Sequence, residues 1–138
     1  MRIDPYLSFE GRCEEAIEFY RRAVGAQVEA LMRFSEMPEP REPGSVSPEN
    51  ENKIMHAELR VGDSKLMASD GQCTGQQAKS QGSISLTITA ADDDEAARVF
   101  SALADGGQVQ MPLAKTFFSS SFGMLADRFG VSWLVVVA

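Results

Sequence analysis

His56 and Glu58 are the residues whose types and spacing most directly suggest chemistry in this chain. His56 is its only histidine, and an imidazole can give or take a proton near neutral pH. Glu58 stands two residues on, which in a strand places its carboxylate on the same face, where it could orient the ring. The alternative is a His–Glu pair on a solvated or structural face. The aromatic residues divide in the same way. Tyr6, Phe34, Phe117, Phe118, Phe122 and Met124 could line an apolar, ligand-binding cavity, or pack one another in a cup that holds no ligand. Trp133 could stack on a ligand, but its Val-rich surroundings predict core packing. Asp127 opens a turn, so its carboxylate is expected to bond its own backbone. Asp92 to Glu95 is acidic enough for a metal, yet four acids at a helix start are explained by capping and the macrodipole. Cys13 and Cys73 make no disulfide framework and no metal-ligand spacing. Cys13 is expected half buried on a helix, and Cys73 in a polar loop.

These side chains need elements to position them. Ser121 to Val137 reads as two strands, Phe122 to Ala126 and Val131 to Val137, joined by an Asp127–Gly130 turn. The run Trp133 to Val137 has no polar face, which predicts that both its sides are covered and that the hairpin closes the edge of a core. Upstream, Ile3 to Phe9 alternates as a strand, weakened at Pro5. Glu14 to Gly25 reads as an amphipathic helix with Ala16, Ile17, Tyr20 and Val24 on its apolar stripe and Gly25 as its stop. A strand follows from Gln27 to Phe34. The Pro- and Glu-rich segment 35–52 cannot bury itself, so it is either a lid over a pocket or a tolerated insertion.

Lys53 to Val61 alternates, with Met55, Ala57, Leu59 and Val61 on one face and Ile54, His56, Glu58 and Arg60 on the other. Gly62-Asp63 is a hairpin signal, and Ser64 to Ser69 returns. A linker, 71–82, precedes a strand from Ser83 to Thr89, a helix opened by Asp92 and closed by Gly106-Gly107, and a strand from Gln108 to Phe118. Two halves of this order look alike. EEAIEFY at Glu14–Tyr20 aligns with DEAARVF at Asp94–Phe100, and each half reads strand, helix, three strands. Repeated βαβββ units indicate an internal duplication, and two such sheets are expected to join edges around a common hollow. The organisation predicted is one domain over 1–138, with module 1 at 1–70 and module 2 at 83–138.

Composition bounds the function. A length of 138 residues suits one domain with a sizeable core, and 20 acidic against 13 basic residues, net −7, argues against nucleic acid or an anionic membrane as partner. No apolar run approaches the ~20 residues of a membrane span, and the N-terminus lacks a signal-peptide pattern. A reducing cytoplasm is the simplest compartment. No glycine-rich strand-to-helix turn followed by an acidic ribose partner occurs, so no adenosylmethionine-type site is visible.

The paired βαβββ plan resembles the vicinal oxygen chelate superfamily of glyoxalases, extradiol dioxygenases, and fosfomycin and bleomycin resistance proteins. PYLSFEGRCEEAIEFYRRAVGAQ, KIMHAELRVGDSKLMASD and FGMLADRFGVSW resemble its PhnB-like branch, also labelled demethylubiquinone methyltransferase-like. The resemblance implies an α+β, glyoxalase-like fold of two βαβββ modules with cupped mixed sheets, a cavity, and a homodimer with exposed strand edges. Metal-using members place His, Gln or Glu on the first and last strand of each module. The corresponding positions here fall near Asp4, Met67, Ser83 and Leu134, a set that implies no metal and no other cofactor. Two functions follow from the resemblance. One is metal-free binding of a small molecule in an apolar cup. The other is a metal-independent or residual-metal lyase or isomerase using His56 and Glu58.

Overall fold

The computed structural model describes residues 1–36, 48–71 and 84–138. In it the two repeats fold as the same succession of elements. The first runs β1 (Tyr6–Ser8), α1 (Cys13–Val24), β2 (Gln27–Arg33), β3 (Ile54–Val61) and β4 (Ser64–Ser69). The second runs β5 (Leu86–Ala90), α2 (Asp93–Ala104), β6 (Gln108–Ala114), β7 (Phe122–Ala126) and β8 (Ser132–Val137). Each builds its own four-stranded sheet, ordered β1-β4-β3-β2 and β5-β8-β7-β6. The first strand of each repeat lies parallel to the last, and the other pairs are antiparallel. This is the expected α+β plan of two mixed sheets. The chain divides into two compact units, Met1–Ala78 and Lys79–Ala138.

In the first unit α1 buries Cys13, Ala16, Ile17, Phe19, Tyr20 and Ala23, which adds Cys13, Phe19 and Ala23 to the expected stripe and leaves the expected Val24 only half-buried. Ala57, Leu59, Leu66 and Ala68 form the buried face of the sheet. Fully burying each large apolar side chain contributes about 1.5–3 kcal/mol. Gly25 ends the helix at φ +69° and returns its N–H to the Tyr20 carbonyl, a conformation glycine adopts without Cβ strain. The start is less ordinary. Arg12 supplies no side-chain cap. Instead Asp70, 1% exposed, accepts from the Cys13 N–H through Oδ1 and the Ile54 N–H through Oδ2, each at 2.7 Å. One buried carboxylate therefore fastens the helix start to the start of β3.

The second unit makes the same seam with its groups exchanged. Asp92 caps α2 locally, accepting from the Glu95 N–H at 2.8 Å. Asp93, at the first turn, accepts the Ser120 and Ser121 hydroxyls at 2.6 and 2.8 Å. Those two bonds, Ser120 first, hold the Asp93 carboxyl below its ordinary value. Their stabilisation is present above the ordinary carboxylate range and is lost as pH falls through the lowered value. Ala96, Val99, Phe100 and Leu103 of α2 are buried, as are Leu125, Trp133, Val135 and Val137 of the sheet.

Several boundaries differ from expectation for identifiable reasons. Pairing of β1 begins only where the Pro5 carbonyl accepts the Met67 N–H, because Pro5 and the residues before it donate nothing to the ladder. Phe34–Glu36 turns into a short 3-10 helix rather than extending β2. Ile54, expected beside His56, is fully buried. The β2–β3 register slips between Met32↔His56 and Arg33↔Ile54, and that irregularity turns Ile54 into the core. The terminal hairpin does not close an edge. Its strands β7 and β8 are the two central strands of their sheet. Only one side of β8 is buried; Leu134 and Val136 on the other are partly exposed. Residues 37–47 and 72–83 lie outside the described residues, and with them most of the 35–52 segment, most of the linker, Cys73 and Ser83.

Candidate functional site

On the face of the first sheet opposite its buried Ala57, Leu59, Leu66 and Ala68, neighbouring strands bring four polar side chains into a row. Register sets Tyr6 opposite Met67 and Met67 opposite Glu58. The Tyr6 hydroxyl lies 3.0 Å from His56 Nδ1, with the two rings 5.6 Å apart. His56 Nε2 is 3.8 Å from Glu58 Oε1, within ion-pair range but beyond a hydrogen bond. Lys65 Nζ donates to the same Glu58 oxygen at 2.9 Å. That hydrogen bond holds the Glu58 carboxyl below its ordinary value, so it is ionised at neutral pH.

The structure thus brings together Tyr6, His56 and Glu58, all singled out by sequence. Lys65 was missed, although the Gly62-Asp63 turn contained the signal. A two-residue turn pairing Val61 with Ser64 sets Arg60 opposite Lys65 and Glu58 opposite Met67, which puts Lys65 diagonal to Glu58 on one face.

The equivalent face of the second sheet carries different chemistry. Thr87 pairs with Leu134, and Leu134 with Met124, so these three take the places of Tyr6, Met67 and Glu58. Phe122 takes the place of His56, being two residues before Met124 as His56 is before Glu58. Thr87 and, by the same register, Ser132 keep hydroxyls in the places of Tyr6 and Lys65, while the polar pair His56–Glu58 becomes an apolar pair, Phe122–Met124. The apolar side chains continue through an edge-to-face series: Phe122 stacks on Phe118, and Phe118 on Phe117, with centroids 5.1 Å apart in each pair. Phe117 is fully exposed. Phe34 is half-buried in the 3-10 turn after β2, its N–H bonded to the Lys53 carbonyl. The structure does not bring it to the polar row.

Other candidates resolve into structural roles. Asp127 Oδ1 accepts the Phe129 and Val131 N–H groups at 2.9 and 3.0 Å, and Oδ2 accepts the Trp133 indole N–H at 2.9 Å. Both residues are buried, at 4% and 5% exposed. Cys13 is completely buried rather than half buried, and burial, reinforced by Asp70 and Glu14, pushes its thiol up to about 12. In native protein a disulfide reagent such as DTNB is expected to leave Cys13 unmodified, with labelling there only on unfolding; rapid native labelling at Cys13 would contradict this burial. A cleft of about 440 Å³ near the start of α1 is lined by Gly11, Glu14, Arg33, Lys53 and Asp70 among others. Both basic side chains of its described lining are engaged internally: Arg33 bonds Glu14 and the Asn52 carbonyl, and Lys53 bonds the Gly11 carbonyl. None of the predicted site residues belongs to its described lining.

The family described as 3-demethylubiquinone-9 3-methyltransferase matches residues 1–136. The chain belongs to this family. Protein PA1353 from Pseudomonas aeruginosa is 43% identical, with a TM-score of 0.83 covering 99% of this chain and 97% of that one. A putative 3-demethylubiquinone-9 3-methyltransferase, PhnB protein, from Bacillus cereus is 29% identical, with a TM-score of 0.80 and full coverage of both chains. Protein YjdN of Escherichia coli (strain K12) is 32% identical over 99% of this chain and 95% of its own length. With the paired βαβββ topology, this membership places the chain in the vicinal oxygen chelate superfamily, in its PhnB-like branch.

The superfamily's metal-ligand positions can now be located by register. Opposite Met67 on the first strand is Tyr6, not Asp4. Asp4 pairs with Arg2 near the chain's start, at 2.9 and 3.0 Å. Opposite Leu134 is Thr87. A phenol, a thioether, a neutral hydroxyl and a hydrocarbon do not fit a divalent metal of the type these enzymes bind. Among the described residues, no three His, Cys, Asp or Glu side chains are placed to hold a metal ion. None of the described helices is long and apolar enough to cross a membrane.

Proposed function

We propose that this PhnB-like protein binds a small organic molecule without metal, using a sheet face opposite the one that buries its core residues. The observation that carries the reading is the non-ligand set Tyr6, Met67, Thr87 and Leu134 at the metal positions, beside a connected polar row, Tyr6–His56–Glu58–Lys65, in one unit and the apolar pair Phe122–Met124 in the other. Tyr6 and Phe34 are the contact candidates of the first unit, and Phe117, Phe122 and Met124 those of the second. Partly exposed Phe122 and Met124, with half-exposed Met111 of the neighbouring strand, form an apolar patch of the sort that meets ligands or partners. A homodimer in the cytoplasm completes the reading, with edge strands β2 and β6 offering exposed Val28, Leu31, Val109 and Met111. Light scattering that finds a monomer at micromolar concentration would remove the dimer.

A second reading is favoured by the Tyr6–His56 hydrogen bond. A base beside a phenol, with a carboxylate on the far side of the ring, suits proton transfer in a metal-independent lyase or isomerase. The two readings part on one variant. His56→Ala leaves ligand-induced stabilisation largely intact in a binding protein that holds its ligand mainly by apolar contact. In an enzyme it cuts turnover about 10²–10⁴-fold while binding survives. Methyl transfer, named in the family's description, is not proposed, because the sequence shows no adenosylmethionine-type site.

Metal addition provides a separate check. Zn²⁺, Ni²⁺, Mn²⁺ and Fe²⁺ are each expected to leave the melting temperature within about 1 °C, because an ion stabilises only a fold that binds it. Elemental analysis finding one metal per chain, lost in His56→Ala and Glu58→Ala, would restore a chelate mechanism.

A further inference from the structure

The polar row of the first unit has a direction. Lys65 donates to Glu58 Oε1, and an ionised carboxylate only accepts. The imidazole nitrogen facing that carboxylate is Nε2. The single proton of a neutral ring is favoured there electrostatically, which leaves Nδ1 as a lone pair. Nδ1 stands 3.0 Å from the Tyr6 hydroxyl, so the hydroxyl donates to it. A phenol whose one proton is committed has only acceptor capacity left. Tyr6 is 50% exposed and its bond to His56 is exposed too, so that capacity is accessible to a ligand.

We propose that Tyr6 reads a hydrogen-bond donor on the ligand, namely a phenol- or enol-type hydroxyl, with His56 fixed as its Nε2–H tautomer by Glu58 and Lys65. The proposal rests on the binding reading above and narrows it to a ligand class. Tyr6 touches the ligand; His56, Glu58 and Lys65 are positioning residues. A molecule that presents only acceptors to this row, such as an ether, meets an oxygen with no proton to give. Its polar atom is then desolvated without a partner.

Because His56 is the only histidine, long-range ¹H–¹⁵N spectra of labelled protein report its tautomer without assignment. At pH 8.5, where a free imidazole is neutral, an unprotonated Nδ1 and a protonated Nε2 are expected. Tyr6→Phe is expected to move the Nδ1 signal, and Glu58→Ala to raise the Nδ1–H population severalfold. A wild-type ring protonated at Nδ1, or a tautomer ratio unchanged in Glu58→Ala, would overturn the proposal without reference to any ligand. The second arm compares 2-naphthol with 2-methoxynaphthalene as probes. Naphthol is expected to bind about fivefold or more tightly, the contribution of one neutral hydrogen bond, and Tyr6→Phe to erase that preference. Equal binding of the two probes, a preference that survives in Tyr6→Phe, or no binding of either overturns the ligand class. Equal binding that is weakened by Phe122→Ala would do so while leaving the binding reading standing.

Discussion

Replacing Asp70 by Ala is expected to lower the stability of the first unit by about 3–5 kcal/mol, because two buried N–H groups each lose a charged acceptor. The Cys13 N–H begins α1 and the Ile54 N–H begins β3, and both bonds are 2.7 Å long. Arg12 makes no side-chain cap that could take over. Asp70→Asn keeps one carbonyl oxygen and is expected to lose roughly half as much. Denaturant unfolding of both variants checks the ranking. A cost below about 1 kcal/mol for Asp70→Ala would show that solvent or neighbouring groups replace the carboxylate.

Asp127→Ala is expected to have an effect of similar size in the second unit. It removes three hydrogen bonds at once: two that shape the β7–β8 turn and one that fixes the Trp133 indole. The cost expected is about 3–5 kcal/mol, with Asn again intermediate, since its amide nitrogen would face the indole N–H. Trp133 is the only tryptophan, so its fluorescence reports directly on the residue affected. An unchanged emission maximum together with an unchanged unfolding midpoint would contradict the role assigned to Asp127.

The contrast between these carboxylates shows what sequence alone could reach. Asp127 was readable because its partners lie two to six residues away and turn chemistry is local. Asp92 was readable for the same reason, since its cap partner is three residues on. Asp70 was not, because its partners sit 57 and 16 residues away and its burial exists only once α1 and β3 have docked. The missing side-chain cap at Arg12 was the one local hint that a distant acceptor was required.

The same distinction runs through the fold and the candidate site. The repeat, both helices and the β3–β4 hairpin followed from periodicity, caps and turn residues. The side of Ile54 did not, because a register slip against β2 moved it, and strand alternation cannot reveal a slip. Central placement of β7 and β8 depends on the parallel pairing of β5 with β8, a long-range contact. His56 and Glu58 were legible as an i, i+2 pair, whereas Tyr6 reaches His56 from fifty residues away. Transferring metal positions by sequence landed on Asp4 and Ser83; the strand register substitutes Tyr6 and Thr87.

The most direct test of the binding account is a thermal-shift screen of small organic molecules on metal-free protein, repeated with Tyr6→Phe and Phe122→Ala. A true ligand at a hundred times its dissociation constant adds about 2.7 kcal/mol, a rise of several degrees for a chain of this size. The account predicts hits enriched in hydroxyl-bearing compounds, whose apparent affinity falls about fivefold or more in Tyr6→Phe where the first unit holds them, or in Phe122→Ala where the second does. Hits stabilising wild type and both variants equally, or no stabilising compound at all, would contradict it.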